Sequence, residues 1–251
     1  MKKKNFLLHL AKRCTLGVIV LGAVLAACPL TSCDNRNIHQ VVKEMANAEV
    51  DTVGWPSGVL RTNPFSSVEI NCFADVTYHQ TAMGDDHYVE VKAPGNVLEN
   101  VDVLVEDGEL RVSVDRRYRM PEKAVAVVNI YAPFVNRFTL IGGKCLRMGK
   151  VMLTSPLELL VDGNVGTLTS DSIVAHEVSM LLDGSGSFDL KGIETGDVRV
   201  KLKGNGTICL SGKCQGTKMN LQGDGVIDLQ GLACDSIIKE EIQGKGRILR
   251  K

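Results

Sequence analysis

From residue 66 onward, apolar and polar residues alternate with a period of two. In "SSVEINCFADVTYH", Val68, Ile70, Cys72, Ala74, Val76 and Tyr78 fall on one side and mostly polar residues on the other. That period predicts strands with one buried face. Cys72 lies on the inward side and is expected to pack as a small apolar side chain. "HYVEVKA" follows, then "NVDVLVEDGELRVSVD", where Asp107-Gly108 between two alternating runs predicts a hairpin. "AVAVVNIYAP" and "NRFTLIGG" extend the strand pattern to about residue 140.

Beyond residue 140 the alternation acquires a longer period. This stretch holds 18 of the 25 glycines. Cut at each glycine motif, it reads "DGNVGTLTSDSIVAHEVSMLL", "DGSGSFDLKGIETGDVRVKL", "KGNGTICLSGKCQGTKMNL", "QGDGVIDLQGLACDSIIKEEI" and a short "QGKGRILRK". The leading glycines Gly163, Gly184, Gly204, Gly223 and Gly244 are spaced by 21, 20, 19 and 21 residues, and Gly142 lies another 21 before the first. A period near 20, with strand-type residues and no helical pattern, predicts a β-solenoid. One such rung makes two or three short strands and their corners. A rung alone cannot bury its inner face, but stacked rungs can, with equivalent positions forming ladders. Phe188, Ile208, Ile227 and Ile248 are expected to form one inward column, and Leu190, Leu210 and Leu229 the next. Val200, Met219 and Ile238 are expected on the opposite wall. Gly163, Gly184, Gly186, Gly204, Gly206, Gly223, Gly225, Gly244 and Gly246 then have a structural role, turning corners where backbones pass closely.

The glycine motif is no nucleotide fingerprint. That fingerprint needs a third glycine three residues on, opening a helix. Here Asp189, Cys209 and Asp228 occupy that place. Calcium-binding β-rolls repeat every nine residues, less than half this period.

The segment before the strands has another character. "MKKKNFLLHLAKR" is basic, "TLGVIVLGAVLAA" is a short apolar run, and "PLTSC" follows. This is the layout of an export signal, too short in its apolar part to favour a spanning helix. It resembles a bacterial lipoprotein signal. Leu30, Thr31 and Ser32 fit the box before a lipidated Cys33. "LAAC" offers Cys28 as the alternative, less favourable because Pro29 would follow the modified residue. The expected organisation is a signal over 1–32, a lipidated cysteine and tether over 33–60, and a head over 61–251. Gly54, Pro56 and Gly58 break the tether after the short helical pattern "IHQVVKEMANAE".

Charge and chemistry narrow the function. The whole chain is neutral, but losing the five basic residues of the first 33 leaves 24 basic against 29 acidic, a net charge of −5. Nucleic acid, which needs a basic surface, is not expected as a partner. The five histidines show no zinc spacing, no GxSxG elbow occurs, and no metal or cofactor is expected. By alternation Asp189, Cys209 and Asp228 form an outward column that no histidine or arginine joins, read as a solvated face. "DDH" at 85–87 and the basic "RRYR" at 116–119 read as solvated turns. Besides Cys33, five cysteines remain in the mature chain, an odd number, so no disulfide framework is demanded. Cys214 and Cys234 fall at matching rung positions and read either as buried small residues or as a bridge between rungs.

Together, "PFSSVEINCFADVTYHQ", "VEDGELRVSV", "VVNIYAPFVNRFTLIGG" and the rungs "DGSGSFDL", "KGNGTICL", "QGDGVIDL" and "QGKGRILR" resemble the putative auto-transporter adhesin head domain, the head GIN domain, over about Phe65 to Lys251. The resemblance implies a β-helical, non-enzymatic lipoprotein or secreted protein of the Gram-negative envelope. Asp, Lys and Gln replace the family's usual serine before the first glycine. The expectation is a non-catalytic head, lipid-anchored at the outer membrane, that binds a glycan or another surface component. Two other classes remain open: a glycan-cleaving β-helix enzyme, and an envelope protein that assembles end to end.

Overall fold

The structure, a computed structural model, describes residues 52–115, 125–164 and 166–251. The export signal with Cys28 and Cys33, the tether up to residue 51 and the "RRYR" turn lie outside the described residues.

The strands are β1 (Ser57–Arg61), β2 (Ser67–Asn71), β3 (Ala74–Gln80), β4 (Tyr88–Lys92), β5 (Val101–Glu106), β6 (Glu109–Val114), β7 (Ala126–Ala132), β8 (Arg137–Ile141), β9 (Cys145–Met152), β10 (Leu157–Gly163), β11 (Thr167–Gly184), β12 (Ser187–Gly204), β13 (Thr207–Gln222), β14 (Val226–Gln243) and β15 (Arg247–Leu249). A single helical turn, α1 (Gly95–Leu98), lies between β4 and β5.

The long strands wrap around the coil. Along β11, after the buried Thr167 at its start, the buried residues are Leu168 and Ser170, then Ile173 and Ala175, then Val178, Met180 and Leu182. Spacing of two keeps side chains on one face, and each step of three marks a bend. Each glycine-marked coil therefore has three short walls around an apolar interior. β11, β12, β13 and β14 stack parallel in that order. The register joins Leu168, Phe188, Ile208, Ile227 and Ile248 in one column. Leu190 pairs with Leu210, and both are buried, as is Leu229. Full burial of such a side chain stabilises by roughly 1.5–3 kcal/mol.

The leading glycines stand in left-handed backbone, from φ +104° at Gly204 to +127° at Gly163. The constraint is also steric: a Cβ on Gly184 would lie 2.2 Å from the Gly163 carbonyl oxygen of the coil below. The following glycines have ordinary φ but the same crowding, since a Cβ on Gly206 would meet the Gly186 oxygen at 2.7 Å. Gly212 has a role that the repeat did not announce. Three residues separate Leu190 from Ile193, but two separate their partners Leu210 and Gly212. Gly212, at φ +131°, absorbs the missing residue of the 19-residue coil.

Two expectations change. First, the strands before residue 140 belong to the same parallel stack. β6 pairs with β2 and β2 with β8 on one wall, while β7 pairs with β3 and β3 with β9 on another. Chain order and spatial order differ, because the β2–β3 coil lies between β6–β7 and β8–β9 although it precedes both. Among the described strands, only β1, β4 and β5 join the sheet antiparallel. They edge the stack at this end, with Val97 of α1 buried beside them. β5 and β6 meet at Asp107-Gly108, both at positive φ, the geometry of a two-residue hairpin. All of β1 but Arg61 lies within the stretch assigned to the tether, and β1 pairs with β4 along all five of its residues.

Second, Ile238 is not in the wall column of Val200 and Met219. A register shift pairs Thr217 with Ile237 and Lys218 with Lys239, so Glu240 faces Met219. Ile238 is the extra residue, half-exposed, and its side chain lies over Gly216. Ile242 instead faces Leu221.

Candidate functional site

The outer wall near the antiparallel edge carries an aromatic ladder. Alternation buries Tyr78, Val89 and Ile130 and turns their neighbours His79, Tyr88 and Tyr131 outward. Antiparallel pairing sets Tyr88 opposite Tyr131, and parallel pairing sets His79 opposite Tyr131 from the other side. The rings stack: Tyr88 and Tyr131 lie 4.3 Å apart at 11°, His79 and Tyr131 4.6 Å apart at 12°. Burial between its neighbours raises the pKa of Tyr131, so its phenol stays neutral at ordinary pH.

The ladder opens toward β9. The pairing of β3 with β9 ends at Tyr78–Met148, and Gly149 is the next residue of β9. A Cβ added at Gly149 would meet nothing within 4 Å. His79 is the exposed ring at this end of the ladder. At the far end, Tyr88 pairs with Arg61, whose guanidinium reaches Asp86 at 2.5 Å.

Next to the ladder, an open depression of about 700 Å³ is lined by Thr62, Phe65, Asp85, Asp86, His87 and Phe134, among others. The "DDH" turn forms its rim. Asp85 accepts the Ala82 N–H at 2.9 Å, Asp86 pairs with Arg61, and His87 packs edge-on against Phe65 at 5.1 Å. All three side chains thus have protein partners. Among the described residues no three His, Cys, Asp or Glu side chains converge as a metal site.

Asp189, Cys209 and Asp228 do align on successive strands. An arginine joins their column after all: Arg147 pairs with Thr169, which pairs with Asp189. Arg147 is engaged elsewhere, by Asp75. That carboxylate is buried and also holds Lys144 at 3.0 Å. In the sequence Asp75 is one of the polar residues of an alternating strand. Its burial follows from Lys144, just before β9, and Arg147 of β9 lying over it, a contact between residues about 70 apart in the chain. Asp228 accepts the Gln230 N–H at 2.9 Å.

The cysteines of the first coils are shielded. Burial pushes the thiol pKa of Cys72 up to about 12 and that of Cys145 up to about 11. Neither is a nucleophile at neutral pH. Cys214 and Cys234 face each other across β13 and β14.

The sequence profile of the putative auto-transporter adhesin, head GIN domain, matches residues 64–249. The chain belongs to that family. Its fold is shared with a putative adhesin of Bacteroides fragilis NCTC 9343, at 17% identity and a TM-score of 0.62, covering 78% of this chain and 97% of the other. A putative adhesin of Parabacteroides merdae ATCC 43184 matches at 14% identity and a TM-score of 0.64, covering 78% and 96%. A protein of Parabacteroides distasonis ATCC 8503, titled a putative lipid binding protein, matches at 16% and 0.57, with the same coverage. No curated protein matches the chain. At these identities the head GIN fold is what the structures share; a binding residue must come from this chain.

Proposed function

We propose that the chain is a lipid-anchored adhesin head of the cell envelope that binds glycans without cleaving them. The anchor is Cys33, with Cys28 as its alternative, and the binding surface is the outer wall of the coils. The observation that carries the reading is the ladder Tyr88–Tyr131–His79, with open space at Gly149 just past the last β3–β9 pair. An aromatic face is electron-rich at its centre and offers flat apolar area on a rigid sheet. The C–H face of a pyranose fits such a platform, and Gly149 leaves it room. Membership of a family described as adhesins supports binding, as does the net charge of −5 after the signal, which disfavours polyanionic ligands.

The test is a glycan array with the purified head, repeated with His79→Ala and Gly149→Leu. The first removes the exposed end ring of the platform; the second fills open space at a position where an added Cβ meets no clash. Each should weaken binding of a captured glycan by about tenfold, the value of one aromatic contact. Binding unchanged in both variants, or no glycan captured by the parent, overturns the reading. Release of reducing ends from a bound polysaccharide would show cleavage instead.

A further inference from the structure

At the other end of the stack, Cys214 and Cys234 are register partners on adjacent parallel strands. Their Sγ atoms lie 2.6 Å apart. Partner Cα atoms on neighbouring strands are about 4.8 Å apart, inside the span of about 4.4–6.8 Å that a disulfide bridges. The inward column that they end begins with Ala175 and Thr195, so it is built of small side chains, and the two sulfurs meet without displacing a large one. Cys214 is buried and Cys234 half-buried. Among the described residues no third His, Cys, Asp or Glu completes a metal site around them.

We propose that Cys214 and Cys234 are joined by a disulfide that staples the last two long strands. The oxidant is another disulfide, either of a dithiol oxidoreductase or of a small molecule such as oxidised glutathione. The Cys234 thiolate, on the accessible side, attacks one sulfur of the oxidant, forming a mixed disulfide and expelling one thiolate. Cys214 then loses its proton and attacks Cys234 Sγ, expelling the second. Two protein thiols and one disulfide become one protein disulfide and two thiols.

The position gives the bond a purpose. β15 covers only Val226–Asp228 of β14. From Ser236 to Gln243, β14 is paired by β13 alone, and Ile237, Ile238 and Ile242 are exposed there. The bond ties β14 to β13 within the stretch that β15 leaves uncovered, and it closes a loop of about 20 residues, which restricts the unfolded chain. It resists fraying of the open end into an edge that recruits other strands.

The full chain would be equilibrated with oxidised glutathione, denatured without reductant, alkylated and digested with trypsin. Cleavage after Lys213, Lys218 and Lys239 separates Cys209, Cys214 and Cys234 onto different peptides. The expected product is fragment 214–218 joined to fragment 219–239, lighter by two hydrogens than the sum of the pair and separated by reductant. Alkylation of both residues, a lasting glutathione adduct on Cys234, or a bond from Cys214 to Cys209 would each overturn the proposal. In a melting experiment, reductant should lower the Tm of the parent by several degrees and leave a Cys214→Ala/Cys234→Ala variant unmoved. A linked parent whose Tm ignores reductant would refute the staple.

Discussion

At the scale of single residues, the interior is a set of columns in which each coil supplies one member. Thr217 is an exception. Its column contains Val178, Val198 and Ile237, and its hydroxyl is buried without a hydrogen-bond partner. An unpaired buried hydroxyl costs about 1–3 kcal/mol. Thr217→Val keeps the shape, removes the oxygen and matches its neighbours, so it should raise stability by about 1 kcal/mol, read as a higher denaturation midpoint. A midpoint at or below the parent's would mean that a solvent molecule satisfies the hydroxyl. The glycines belong to the same scale. Their spacing is plain in the sequence, but the reason for Gly212 is not, because a one-residue deletion is absorbed only when two coils are laid in register.

Individual strands differ in how far sequence pattern determines them. Along β12 and β13, period two and period 20 agree, and the column Phe188–Ile208–Ile227 follows from both. Leu210→Asp would bury a charge with no partner and should destabilise by roughly 4–5 kcal/mol or prevent folding. Ile238→Asp, read from the same repeat as an inward position, should cost less than about 1 kcal/mol, because a bulge turns Ile238 outward. Paired denaturation curves check the contrast; equal losses would refute the bulge. Strand period alone cannot locate a bulge, since one extra residue reverses every later side chain and the choice rests on what the neighbouring strand offers. The first coils show the converse. β2, β3, β6 and β7 were legible as strands, yet their corners lack the repeated glycine pair, so nothing local marked them as coils.

For the whole molecule, the open question is attachment. The proposed anchor predicts that Cys33→Ser abolishes fatty-acid labelling in cells while leaving the folded head unchanged. Labelling that persists in Cys33→Ser and disappears in Cys28→Ser moves the anchor to the earlier site. The head, with β1, β4 and β5 at one end of its stack and exposed isoleucines at the other, has two chemically different ends. The candidate glycan platform lies toward the first and the proposed staple toward the second.

The sequence by itself determined the solenoid, the inward column through Phe188, Ile208 and Ile227, the turn at Asp107-Gly108 and the family. Each of these is written in a spacing: two residues for a strand, about 20 for a coil, two glycines for a corner. Tertiary structure alone decided which strand neighbours which. It placed β2–β3 inside a coil pair that follows it in the chain, buried Asp75 beneath Lys144 and Arg147, and stacked His79, Tyr131 and Tyr88 from three separate strands. Those contacts join residues far apart along the chain, and no local spacing encodes them. They arise when stacking coils satisfy the backbone of one strand with the backbone of the next.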